Sequence, residues 1–157
     1  MRLTALALSA ALALSAAPVL AQAKPGADIG AVRDWITGLG GVASEIQRPD
    51  GETYFTVTDR GLTWALLFYG CDNDVCGDVQ FSAVLAGSAT SETVNAWNRE
   101  QRFVKAFQTP AAEGREATVT VQYDLLLTGQ GPEQLRDPLA VWLELLPQAA
   151  QRLGVAR

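Results

Sequence analysis

FYGCDNDVCGDVQF, Phe68 to Phe81, holds both cysteines of the chain around a knot of acids and glycines. The stretch before it, LTWALLFYG (62–70), is a continuous apolar run of the kind found in a strand covered on both faces. The stretch after it, VQFSAVL (79–85), sets Val79, Phe81, Ala83 and Leu85 on one face, the two-residue period of a half-buried strand. Two strands joined through a short polar knot predict an antiparallel hairpin. The rest of the fold can be read outward from it.

Upstream, VASEIQR (42–48) and ETYFTVTD (52–59) are parted by Pro49-Asp50-Gly51, and Asp59-Arg60-Gly61 marks a further turn before Leu62. Pro presets φ and Gly accepts positive φ, so both are turn signals. The result is a four-strand antiparallel meander. Before it, Ile29, Val32, Trp35 with Ile36, and Leu39 recur at steps of three and four, a helical stripe that Asp28 can cap and Gly40-Gly41 can stop. Downstream, Ser88 to Ser91 offer N-cap chemistry for a helix SETVNAWNREQR, with Glu92 in the first turn where an acid favours the dipole. RFVKAFQ (102–108) reads as a fifth strand. ATVTVQYDL (117–125), with its strict alternation, reads as a sixth.

In PEQLRDPLAVWLELLPQAAQRLG, Leu135, Leu139, Trp142, Leu143, Leu146, Ala150 and Leu153 make a broad helical stripe. Pro132 suits a first helical turn, Asp137-Pro138 could equally restart the helix, and Pro147 should kink it. In order the elements are α-β-β-β-β-α-β-β-α. This predicts an α+β fold, an antiparallel sheet of about six strands with helices packed against it.

The first 23 residues, MRLTALALSAALALSAAPVLAQA, have one basic residue, then an uncharged Leu/Ala-rich run, then the small-residue pattern Ala21-Gln22-Ala23. That is the layout of a signal peptide cut after Ala21 or Ala23. The expected product is periplasmic or secreted, residues 24–157, one domain with no stable membrane anchor. The full chain carries a net charge of −5 without a clustered basic face, which argues against nucleic acid as a partner.

Histidine is absent from the sequence. No Ser-His-Asp or Cys-His pair and no imidazole metal ligand can form. Export with an even number of cysteines favours a disulfide between Cys71 and Cys76, a staple worth roughly 2 kcal/mol for so small a loop. A redox centre would more typically be Cys-x-x-Cys opening a helix, and zinc would lack two ligands. Calcium has Asp72, Asp74 and Asp78 as oxygen donors, but a cysteine stands where an EF-hand loop needs oxygen. No metal and no cofactor is implied, and the bland use of these acids is turn chemistry.

FYGCDNDVCGDVQF, followed by ETVNAWNREQRFVKAFQ, resembles the YbjN-domain family of bacterial proteins, labelled sensory transduction regulators. The words that carry the resemblance are Tyr69-Gly70-Cys71, the Val79-Gln80-Phe81 strand, and Asn-x-Trp-Asn-Arg-x-x-Arg-Phe from Asn95 to Phe103. It spans about Val42 to Leu146 and implies a fold similar to the type III secretion chaperones, often dimeric. It supplies no catalytic residues. After the fifth strand the chain reads AFQTPAAEG, plainer than the aromatic and acidic word common in the family.

Asn95, Trp97, Asn98, Arg99 and Arg102 are the candidate motif, either structural or partner-binding. Val94 and Trp97 share a helix face that would pack on the sheet, and Arg102 can reach a sheet carboxylate such as Asp124. The functional expectation is a non-enzymatic periplasmic binding or chaperone-like module that holds an unidentified protein or peptide and forms a homodimer. The alternatives are a carboxylate-based periplasmic hydrolase and a calcium-binding envelope accessory protein.

Overall fold

The computed structural model describes residues 24–155; the expected signal peptide, residues 1–23, lies outside them. The elements are β1 (Ala27–Asp28), α1 (Ile29–Gly38), β2 (Val42–Ala43), β3 (Thr53–Asp59), β4 (Leu62–Asp72), β5 (Val75–Ala86), α2 (Ser91–Glu100), β6 (Lys105–Thr109), β7 (Thr118–Leu126) and α3 (Arg136–Leu153). Short 3₁₀ turns lie at Pro49–Gly51 and Pro132–Leu135.

Turn chemistry sets the register. Arg60-Gly61 joins β3 to β4 and Asn73-Asp74 joins β4 to β5, with Asp59 opposite Leu62 and Asp72 opposite Val75. All four turn residues have φ between 49° and 77°. Left-handed φ at both central positions is what a two-residue hairpin of the I′ kind requires. A slip of one residue would turn every apolar side chain to the wrong face.

The sheet is antiparallel throughout, in the order β2-β3-β4-β5-β7-β6, with β1 added beside the start of β5. The α+β class and the element order agree with the sequence pattern. Three details differ. β1 is a seventh, two-residue strand that no periodicity could announce, placed by pairing Ala27 with Cys76 and Asp28 with Val75. The expected 42–48 strand keeps ladder geometry only at Val42–Ala43, because Ser44 uses its own hydroxyl as well as its N–H on Thr56 and breaks the ladder. β6 starts at Lys105 rather than Arg102, because the Val104 carbonyl is taken by an indole of α2.

The core lies between one sheet face and the helices. Phe55, Val57, Trp64, Leu66, Phe68, Val79, Phe81, Val119 and Val121 from the sheet meet Ile29, Val32, Trp97, Trp142 and Leu146 from the helices, all nearly or wholly buried. Trp64 and Phe81 pack against Trp142 at ring separations of 6.1 and 5.7 Å, inside the range where aromatic pairs add to simple burial. Asp28 caps α1 by accepting from the Ala31 N–H (2.8 Å), and Thr90 caps α2 by accepting from that of Thr93 (3.1 Å). α3 is one helix from Arg136 to Leu153, continuous through Pro147.

One expectation fails in an informative way. β4 is not covered on both faces: Leu62, Trp64, Leu66 and Phe68 are buried, whereas Ala65 and Leu67 are half-buried and Thr63 is exposed. The second face of its apolar run looks onto the open side of the sheet.

Candidate binding surface

The Asn95–Phe103 word divides into a lock and a free part. The Asn98 carboxamide donates from Nδ2 to the Ala106 carbonyl (2.8 Å) and accepts at Oδ1 from the Ala106 N–H (2.9 Å). It thus mimics the backbone of a neighbouring strand along the outer edge of β6. The Trp97 indole, wholly buried, donates to the Val104 carbonyl (3.1 Å). Lys105 donates from Nζ to the Asn98 carbonyl (2.7 Å) and to that of Gln101. Asn95 and Arg99 are exposed. Arg102 does not reach Asp124. Its guanidinium lies 5.3 Å over the Phe103 ring, while Asp124 accepts from Gln80 Nε2 at 2.6 Å. The bend at residues 102–103 ends before β6 enters the sheet, and Lys105 takes the position beside Gln122.

The edge at β2 is occupied as well. Arg33 of α1 donates from Nε to the Ser44 carbonyl (2.7 Å) and from its terminal nitrogen to Glu45 (2.8 Å). Unpaired edges invite strand addition, and side chains laid along them suppress it.

The Cys71–Cys76 disulfide is formed across directly opposed residues, Cα atoms 3.9 Å apart. That is closer than the usual disulfide range and nearer the narrow spacing of an antiparallel ladder. The acids of this tip go to separate partners. Asp72 meets Lys24 (3.9 Å) and Asn73, Asp74 meets Arg48 (3.1 Å), and Asp78 lies beside Tyr69. Among the described residues no group of three or more Cys, Asp or Glu side chains is arranged to hold a metal ion.

The uncovered side of the sheet is built in rows. Tyr54, Leu67, Gln80 and Asp124 form one; Thr56, Ala65, Ser82, Gln122 and Lys105 the next; Val84, Thr120 and Phe107 a third. The middle is a polar ladder, with Gln122 donating to Gln80 (2.9 Å) and Gln80 to Asp124. Apolar groups stand at both ends: Val84 is 66% exposed, Phe107 46% and Leu126 74%. At the Leu126 end, Tyr69, Asp78 and Asp124 line a shallow depression of about 440 Å³. The Tyr69 phenol is raised above its ordinary value by burial, then by the nearby Glu52 and Asp124 carboxylates; burial raises Tyr123 on the core side.

These exposed apolar residues were not singled out from sequence. Their signal was phase: Val84, Phe107 and Leu126 each stand next to the residue that continues the buried alternation.

A single antiparallel sheet with its helices on one face, its edges closed by side chains and its other face open is the architecture that positions this surface. The chain belongs to the YbjN family: the sequence model of that family, described as "Putative bacterial sensory transduction regulator", matches residues 28–154. Among solved structures it is similar to that of YbjN from E. coli, titled "a putative transcription regulator", with a TM-score of 0.55 and 16% identity. The match covers 80% of this chain and 93% of the other. It is a likeness of fold. No curated protein matches the sequence.

Proposed function

We propose that this protein is a non-enzymatic periplasmic binding module of the YbjN family, which holds a protein or peptide segment on the open face of its sheet. The observation that carries this reading is the face itself. Three apolar side chains stand out of phase on it, exposed, around a polar ladder. Such residues add nothing to the core, and exposed apolar groups on a sheet face that no other layer covers among the described residues are available for association, with the ladder between them offering hydrogen-bonding groups. The Asn98 and Arg33 contacts leave little edge for a partner to add a strand.

The regulator label of the family supports a role through association rather than chemistry, and the lack of histidine narrows the catalytic repertoire further. Fractionation of native cells should place the protein in the periplasm. Capture from periplasmic extract should recover partners that a Val84→Lys, Phe107→Lys variant of unchanged circular dichroism loses. Equal recovery by both proteins, or retention in the cytoplasm, would sink the proposal.

A further inference from the structure

The open face of the sheet is not uniform in charge along its length. At its Leu126 end, Tyr69 stands opposite Asp78 and Asp78 opposite Leu126, with Asp124 in the next row beside Gln80. Glu52, just before the first ladder pair of β3, is near enough to act on the Tyr69 phenol, which burial raises first and the Glu52 and Asp124 carboxylates raise further. Among the described residues none of these three carboxylates enters an ion pair. Three cations that could neutralise them are committed elsewhere: Lys105 to the carbonyls that end α2, Arg48 to Asp74, and Arg102 to the ring of Phe103.

Acids on a surface are ordinarily there for solvation, but these border an apolar face that no layer covers among the described residues. Leu126 is 74% exposed beside them, and the Tyr69 ring is exposed as well. Asp78 and Asp124 are diagonal neighbours across β5 and β7, a placement that sets their Cα atoms roughly 7–8 Å apart. One guanidinium or ammonium can contact both carboxylates at that spacing while resting against a phenol ring. The depression of about 440 Å³ that Tyr69, Asp78 and Asp124 line leaves room for it. Three rows away, Val84 and Phe107 flank Thr120, six positions before Leu126, so the two apolar ends lie roughly 20 Å apart. A second copy of the chain is a poor occupant. About a two-fold axis at this end it would set each carboxylate near its own counterpart, in a chain whose net charge is already −5.

We infer, resting on the open-face reading above, that the segment held on this face is basic as well as apolar. An arginine or lysine side chain enters the depression between Asp78 and Asp124, and an apolar neighbour covers Leu126. An extended stretch of about seven residues then reaches Val84 and Phe107 with a second apolar side chain. The segment lies across the face, because Asn98 and Arg33 lie along the sheet edges.

The test is selection of the protein, residues 24–157, on a library of random heptapeptides at about 0.15 M salt, where long-range attraction is screened. The retained peptides should be enriched in arginine or lysine together with leucine, valine or phenylalanine. Asp78→Asn with Asp124→Asn should weaken binding of the best of them at least tenfold. Glu113→Gln with Glu116→Gln removes the same charge from exposed positions before β7, toward the far end of the sheet, and should change it less than twofold. Citrulline for the peptide's arginine, or acetyl-lysine for its lysine, should cost the parent the same tenfold, a readout that does not depend on any variant folding. Retained peptides without a basic side chain, equal loss in both double variants, or full binding of the neutral peptide would each overturn the inference and leave the open-face reading standing. A library retained no better by the parent than by the Val84→Lys, Phe107→Lys variant would remove both.

Discussion

Replacing Asn98 with alanine tests the α2–β6 lock directly. The variant loses two side-chain-to-backbone hydrogen bonds, of 2.8 and 2.9 Å, from a half-buried site. At about 1 kcal/mol net for each, the loss is about 2 kcal/mol; the freed Ala106 groups turn toward water, which keeps the cost from rising further. For a domain of this size that is roughly 6–10 °C in Tm. Differential scanning calorimetry of residues 24–157 measures it. Asn98→Asp should be at least as harmful near neutral pH, because a carboxylate oxygen then confronts the Ala106 carbonyl where an amide donated. The lock also covers an edge, so the alanine variant should gain concentration-dependent association in sedimentation velocity. A Tm drop below about 2 °C, with unchanged sedimentation, would refute the argument that Asn98 substitutes for a strand.

Three further outcomes are expected. Cys71→Ser with Cys76→Ser should lower stability by about 2 kcal/mol on the chain-entropy estimate, read from urea midpoints, and reductant should do the same to the parent but nothing to the variant. Trp97→Phe leaves the buried Val104 carbonyl without its donor and should cost about 1–3 kcal/mol, while Arg99→Ala, at an exposed position, should stay within about 0.5 kcal/mol in the same urea titration. Tyr69 and Tyr123 are raised in the folded state, so the folded protein holds phenolic protons that the unfolded chain releases. Their contribution is complete below the unfolded value of 10.0 and declines as pH rises through the folded values. Absorbance titration near the phenolate band should show this, and Asp124→Asn should lower the Tyr69 value while leaving Tyr123 in place.

The sheet and helices were legible because their signals are local and periodic. Alternation in 117–125, the three-and-four stripe on α3 and the turn words around Gly61 and Asn73 each follow from chemistry within a few residues. β1 was not legible, since two residues carry no period and Ala27 is placed by Cys76, far along the chain. The long apolar run of β4 misled for a physical reason: hydrophobicity says what a strand can bury, and whether a second layer arrives is decided by the other elements. Asn98 illustrates the same limit. Asparagine near a helix end reads as a cap, and only the approach of β6 turns its amide into an edge partner.

The join at Gly26 bears on the order in which the domain assembles. Its N–H donates to the Gly129 carbonyl (2.9 Å) and its own carbonyl accepts from Gly131 (3.0 Å), while a Cβ here would come within 2.8 Å of the Cys76 carbonyl oxygen. Only glycine fits that passage. The Gln134 side chain, 108 positions away in the chain, also donates to the Gly26 carbonyl. Closing a loop of that size costs about 3 kcal/mol more in chain entropy than closing a tight hairpin, so β4 and β5 have reason to pair long before Gly26 docks. The segment that leads into α1 is then among the last to settle. Until they do, the first N–H of α1, at Ile29, lacks the Asp74 carbonyl it meets in the finished fold.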